Sequence, residues 1–146
     1  MTAYLDASVL VSLFARDSNS DRASAILRET VPVLLISDFA TAEFSAAIAR
    51  RVRASGLTLQ EAQEVFVNFD AWTTRIAQRV ETIAADISVA TAFVRRLDLN
   101  LRTPDAINIA IAQRIGARLF TFDIGMEAVA RKLGVPLLEH GATNPP

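Results

Sequence analysis

Short apolar runs alternating with longer stretches of helical spacing constrain this chain more than any other feature. AYL (3–5), VPVLLIS (31–37) and RLFTF (118–122) lack the in-and-out alternation of a strand with one wet face, so each reads as a strand buried on both sides. VPLLE (135–139) reads as a last strand, and RIAQRVETIA (75–84) as holding a short third one. Helical segments of roughly 10 to 20 residues separate these runs, long enough for crossovers between parallel strands. Such crossovers place helices over both faces, so the expected fold class is three-layer α/β/α around a mainly parallel sheet.

Several helix ends are written in the sequence. Thr58 and Glu61 have capping-box spacing, and Thr103-Pro104-Asp105 joins an N-cap, a first-turn proline and a first-turn acid. Asn19 and Ser20 are capping candidates for a helix over 19–30, while Gly116 and Gly134 close later ones. Across 38–56 the apolar stripe is read at Phe39, Ala42, Ala46, Ala49 and Val52.

Composition then removes whole classes of chemistry. The 146 residues are 51% hydrophobic, enough for one sizeable core, so a single domain is expected over 1–140 with a frayed tail at 141–146. Without cysteine there is no thiol nucleophile, zinc knuckle, iron–sulfur site or disulfide. The single histidine, His140, stands in the tail LEHGATNPP, which argues against Ser-His-Asp triads and histidine metal sites. The five glycines are too widely spaced for a GxGxxG turn or a P-loop. No apolar run approaches the roughly 20 residues of a membrane span, and MTAYLDAS carries no leader pattern, so cytoplasmic residence is expected.

Carboxylates remain. Asp6 follows AYL and Asp123 follows RLFTF, at the strand ends where open α/β sheets bind ligands, although either could equally serve as a helix N-cap. Glu43 has Phe39, Ala46 and Ala47 as helical neighbours, so a partner must come from elsewhere: a shared site, or an arginine of another helix. Asp105 lies in a first turn, where the helix dipole favours an anion whatever its role. Together the four can converge on one crevice, and oxygen ligands without nitrogen or sulfur competitors suit Mg²⁺ or Mn²⁺. Such a site can polarise a phosphoryl oxygen and activate water, which makes phosphodiester hydrolysis the natural reaction.

The segments DASVL (6–10), AEF (42–44), TPDAINIAIA (103–112) and TFD (121–123) stand in an order and spacing that resembles the PIN domains. Within that family the chain is similar to the VapC-type ribonuclease toxins of type II toxin–antitoxin pairs, over essentially residues 3–139. The resemblance implies that Asp6, Glu43, Asp105 and Asp123 form an acidic Mg²⁺ or Mn²⁺ site, with Ser8 and Thr121 as polar support. It further implies a five-stranded parallel sheet, a homodimer, an RNA substrate and a cognate antitoxin that wraps the toxin. The chain departs from the family pattern at Met126, where an aromatic is frequent, and Asn108 is given no role.

A net charge of −1 provides little long-range attraction to RNA, so local patches must supply any contact. Arg50, Arg51 and Arg53 form one group and Arg95, Arg96 and Arg102 another; each reads as a phosphate contact, a solvated face or an antitoxin contact. The helix bearing Val65, Phe66, Phe69 and Trp72 has apolar bulk for a core face plus a protein interface. Two readings compete with the nuclease: a catalytically silent RNA- or protein-binding module, and a metal-dependent phosphatase with Asp6 as nucleophile. The second lacks an aspartate at position 8, where Ser8 stands, and has Lys132 as its sole lysine.

Overall fold

A computed structural model of the chain describes residues 1–139, so His140 and the tail at 141–146 lie outside the described residues. The elements follow as β1 (Thr2–Leu5), α1 (Ala7–Phe14), α2 (Ser20–Thr30), β2 (Val33–Ser37), α3 (Asp38–Arg53) and α4 (Leu59–Ile76). Then come β3 (Gln78–Val80), α5 (Ala84–Arg95), α6 (Thr103–Ile115), β4 (Arg118–Phe120) and α7 (Ile124–Lys132). The strands form one parallel sheet in the order β3-β2-β1-β4, flanked by helices as the α/β/α reading expects. Ala3, Tyr4 and Leu5 are buried on the central strand and Leu34 to Ile36 on its neighbour, which is why neither run alternates. At the β3 edge, Gln78 and Arg79 are exposed, a polar rim that discourages further strand pairing.

The described sheet has four strands where about five are expected. VPLLE makes one parallel bridge, Leu137 to Leu119, flanked by the Leu119 N–H on the Pro136 carbonyl (2.8 Å) and the Leu138 N–H on the Leu119 carbonyl (2.9 Å). Pro136 has no N–H to extend the ladder, so pairing stays at a stub. At its other end β4 stops at Phe120, two residues short of the apolar run. The next free amides are taken by side chains: Phe122 N–H by Ser8 Oγ (3.0 Å) and Asp123 N–H by Thr121 Oγ1 (3.0 Å).

The phase of α3 also differs from the stripe read in the sequence. Its buried residues are Ala40, Phe44 and Ile48, while Ala42 and Ala46 are exposed. Alanine suits either face of a helix, and the bulk of Phe44 and Ile48 decides which way it turns. On α4, Phe66, Phe69 and Trp72 turn inward to an aromatic cluster with Phe14 and Phe44, so their bulk is consumed within the chain. The large apolar side chains that α4 leaves in water are Leu59, Val67 and Ile76. The capping box at Thr58 and Glu61 forms as expected. No helix among the described residues is long and apolar enough to cross a membrane.

Candidate functional site

At the carboxyl ends of β1 and β4 an open cavity of about 370 Å³ is lined by Asp6, Ser8, Glu43, Asp105 and Asp123, with Arg50, Arg102, Asn108 and Met126 around them. Four separate elements deliver the acids. Asp6 leaves β1 as the N-cap of α1, and Asp123 leaves the β4 segment as the N-cap of α7. Glu43 comes from α3, and Asp105 from the first turn of α6. Capping and membership of the cavity therefore coexist: Asp6 Oδ1 accepts the Val9 N–H (3.1 Å) and Asp123 Oδ1 the Met126 N–H (2.9 Å).

Asp6 is the best-held acid of the set. Ser8 Oγ donates to its Oδ1 and Thr121 Oγ1 to its Oδ2, both at 2.6 Å, and those hydroxyl oxygens receive the amides that end β4. Asp6 is only 3% exposed, and no arginine or lysine bonds to it in this network. Burial pushes its carboxyl up to about 6; the two hydroxyls and the Val9 N–H pull down, and the charge of Asp123 adds to the rise. Glu43 is raised by burial, eased by a hydrogen bond from Asn108 and raised again by the charges of Asp6 and Asp105. Asp105 is raised by burial and by Asp123, against the lowering influence of Arg102. The acids thus feel one another across the cavity.

The partner of Glu43 is neither a cation nor a bare crevice. Asn108 Nδ2 donates to Glu43 Oε1 at 2.7 Å, in place of the arginine from another helix that the sequence left open. Asn108 is the cavity-lining residue that sequence reasoning passed over. A signal existed: it is the one polar residue between Ala106 and Ala112, a stretch of α6 that is buried throughout.

The arginine groups divide. Arg50 and Arg102 line the cavity, and Arg102, at 79% side-chain exposure, reaches Asp105 (3.5 Å) and Asp123 (3.7 Å). Arg51 instead donates to the Ala15 carbonyl at the end of α1 (2.7 Å), and Arg96 pairs with Asp98. Arg53 and Arg95 are exposed. Met126 is buried at the cavity wall where the family often places an aromatic, and its N–H caps onto Asp123.

A family model described as the PIN domain matches residues 3–132. The chain belongs to the PIN-domain family. Among curated proteins this PIN domain is 32% identical over 139 residues to Ribonuclease VapC46 of Mycobacterium tuberculosis (strain ATCC 25618 / H37Rv), spanning 92% of this chain and 95% of that one. Among solved structures it is similar to VapC20 of Mycobacterium tuberculosis, described as a sarcin–ricin loop cleaving toxin (TM-score 0.70, 17% identity, 86% of this chain and 93% of that one). It is similar as well to VapBC2 from Rickettsia felis bound to a promoter DNA fragment (TM-score 0.65, 15% identity, 95% and 98%). FitAcB from Neisseria gonorrhoeae is a third (TM-score 0.63, 16% identity, 94% and 96%). At such identities the structural likenesses establish the shared fold of this PIN domain.

Proposed function

We propose that this PIN domain is a divalent-metal-dependent endoribonuclease that acts as the toxin of a toxin–antitoxin pair. One observation carries the reading: four carboxylates from four elements line one cavity, three of them raised by burial and mutual repulsion, and the cation that reaches two of them is a mostly exposed arginine. The donor set fits Mg²⁺ or Mn²⁺, being oxygen throughout. Among the described residues no three acids stand together as a ready-made metal cage. Asp6, Glu43, Asp105 and Asp123 would hold the cation, which when bound supplies Lewis acidity and charge neutralisation at the phosphodiester.

The remaining chemistry belongs to the chain. Ser8 and Thr121 orient both oxygens of Asp6, while Arg50 and Arg102 flank the cavity where phosphates beside the scissile bond would lie. The phosphatase reading calls for a second acid two residues after Asp6, where Ser8 stands and gives its hydroxyl to Asp6 Oδ1 (2.6 Å). Curated and structural likeness to VapC ribonucleases and to VapBC and FitAB toxin–antitoxin complexes supports an RNA substrate and an antitoxin partner. Residence in the cytoplasm and a homodimer belong to the same reading.

Antitoxin-free protein incubated with RNA is expected to cut internally with Mg²⁺ or Mn²⁺ and to stop with EDTA. Cleavage that persists at full rate in chelator would remove the metal. Absence of cleavage alongside tight RNA binding would favour the silent binding module.

A further inference from the structure

Asn108 is 1% exposed in a stretch of α6 whose other buried side chains, from Ala106 to Ala112, are all apolar. A buried amide is costly unless both ends are bonded, and here both are. Nδ2 donates to the Pro104 carbonyl (3.1 Å), a group that can only accept, which fixes which end of the amide is nitrogen. Its second proton goes to Glu43 Oε1 (2.7 Å), and Oδ1 accepts from the Tyr4 hydroxyl (2.7 Å). Tyr4 has then used its single proton, so Ser37 Oγ must donate to it (2.6 Å), while that same Oγ receives the Ala40 N–H (2.8 Å). Every donor points one way, from β2 through β1 and α6, and the last acceptor is the carboxylate in the cavity wall.

The position tolerates few alternatives. An aspartate would set a second carboxylate against Glu43 and the Pro104 carbonyl. A leucine would keep the branched shape, with somewhat more bulk, but strand the Tyr4 donor and the Glu43 acceptor together. A side chain that accepts on one side and donates twice on the other is what the surroundings require.

We propose that Asn108 is the positioning residue for Glu43: held by Tyr4 and the Pro104 carbonyl, its amide fixes one carboxylate oxygen and keeps the other available to a divalent cation. This rests on the metal-dependent nuclease reading above. Ligand-orienting partners of this kind change metal affinity or activity by about 10- to 100-fold. Calorimetric titration of the full chain with Mn²⁺ is therefore expected to show Asn108→Leu binding about 10- to 100-fold more weakly, with Tyr4→Phe weakened less. Cleavage should lose kcat in parallel while KM for RNA holds, because Asn108, at 1% exposure, presents almost no surface to RNA.

A purely structural role would lower the melting temperature yet leave Mn²⁺ affinity of the folded variant unchanged, and that result would overturn the proposal. Should Asn108→Leu fail to fold, Tyr4→Phe and the side-chain amide resonances of Asn108 take over. Those resonances should move on Glu43→Ala, and resonances that stay put would overturn it too. A wild-type chain that binds Mn²⁺ but cuts no RNA sinks the nuclease reading alone, leaving the affinity loss in Asn108→Leu as support. A wild-type chain that takes up no Mn²⁺ sinks both.

Discussion

Asp6 and Asp86 are hidden from solvent to the same degree, 3% and 2% exposed, and are treated in opposite ways. Arg114 grips Asp86 with Nε on Oδ1 (2.7 Å) and a terminal nitrogen on Oδ2 (2.9 Å), the Ile83 N–H adds a third bond, and the same arginine reaches the Glu81 carbonyl. Burial would raise Asp86, but the Arg114 hydrogen bonds, the Ile83 N–H and the Arg114 charge outweigh it and hold the carboxyl below its ordinary range. Asp6 is raised by its burial, which two hydroxyls and an amide do not offset, and the charge of Asp123 adds to the rise. The first arrangement fastens α5 to α6. The second keeps a desolvated acid short of countercharge, which costs stability and suits a cation binder.

That contrast can be broken most severely at Asp6. Asp6→Asn should cut RNA cleavage by at least about 100-fold, while urea denaturation of the metal-free protein shows stability unchanged or raised. Clear destabilisation would make Asp6 structural, like Asp86. The matching blow at the other acid is Arg114→Met, which strands Asp86 and should cost about 3 kcal/mol in the same denaturation experiment, at the lower end because the arginine is partly exposed. Its cleavage rate, measured well below the melting transition, should change little.

Thr121→Val removes the hydroxyl from Asp6 Oδ2 and should cost about 1–2 kcal/mol at pH 8, where the carboxylate is charged. The loss should shrink at pH 5. A cost independent of pH would show that Thr121 matters for packing alone.

The smallest expected effect is in the pH profile of the unmutated chain. A carboxyl raised on folding contributes stability below its unfolded value, and that contribution is lost as pH rises through about 6. Denaturation without divalent ions should therefore show Asp6 adding about 1 kcal/mol on going from pH 7 to pH 5, a gain absent in Asp6→Asn. Asp86 works with the other sign: its contribution is present above the unfolded value and disappears only as more acid conditions reach its depressed one.

Much of this was legible before any coordinates, because local chemistry fixed it. The Thr58–Glu61 box is a short-range device and opens α4 as read, whereas the start at Thr103-Pro104-Asp105 is displaced by one residue: the N-cap is Arg102, Thr103 is the first residue of α6 and makes no capping bond, and Pro104 stands second. The fold class was legible too, since runs of uninterrupted apolar residues have few homes outside a covered parallel sheet. The other misreadings share one cause, which is dependence on distant neighbours. Alanines left the phase of α3 open until Phe44 met the aromatic cluster. Asn108 looked idle because its partners, Tyr4 and Glu43, are 104 and 65 positions away. Arg50 and Arg51 are adjacent in sequence, yet the helical turn between them sends one to the cavity and the other to the end of α1.

The hydroxyl that steadies Asp6 comes from Thr121, 115 positions further along the chain, and β1 is laid between β2 and β4. A nascent chain therefore carries its first acid out of the ribosome long before β4 and Asp123 exist to complete the constellation. An unfinished copy that lacks the β4 segment lacks both Asp123 and the hydroxyl that steadies Asp6, so the four-acid cavity assembles only once that segment has paired with β1.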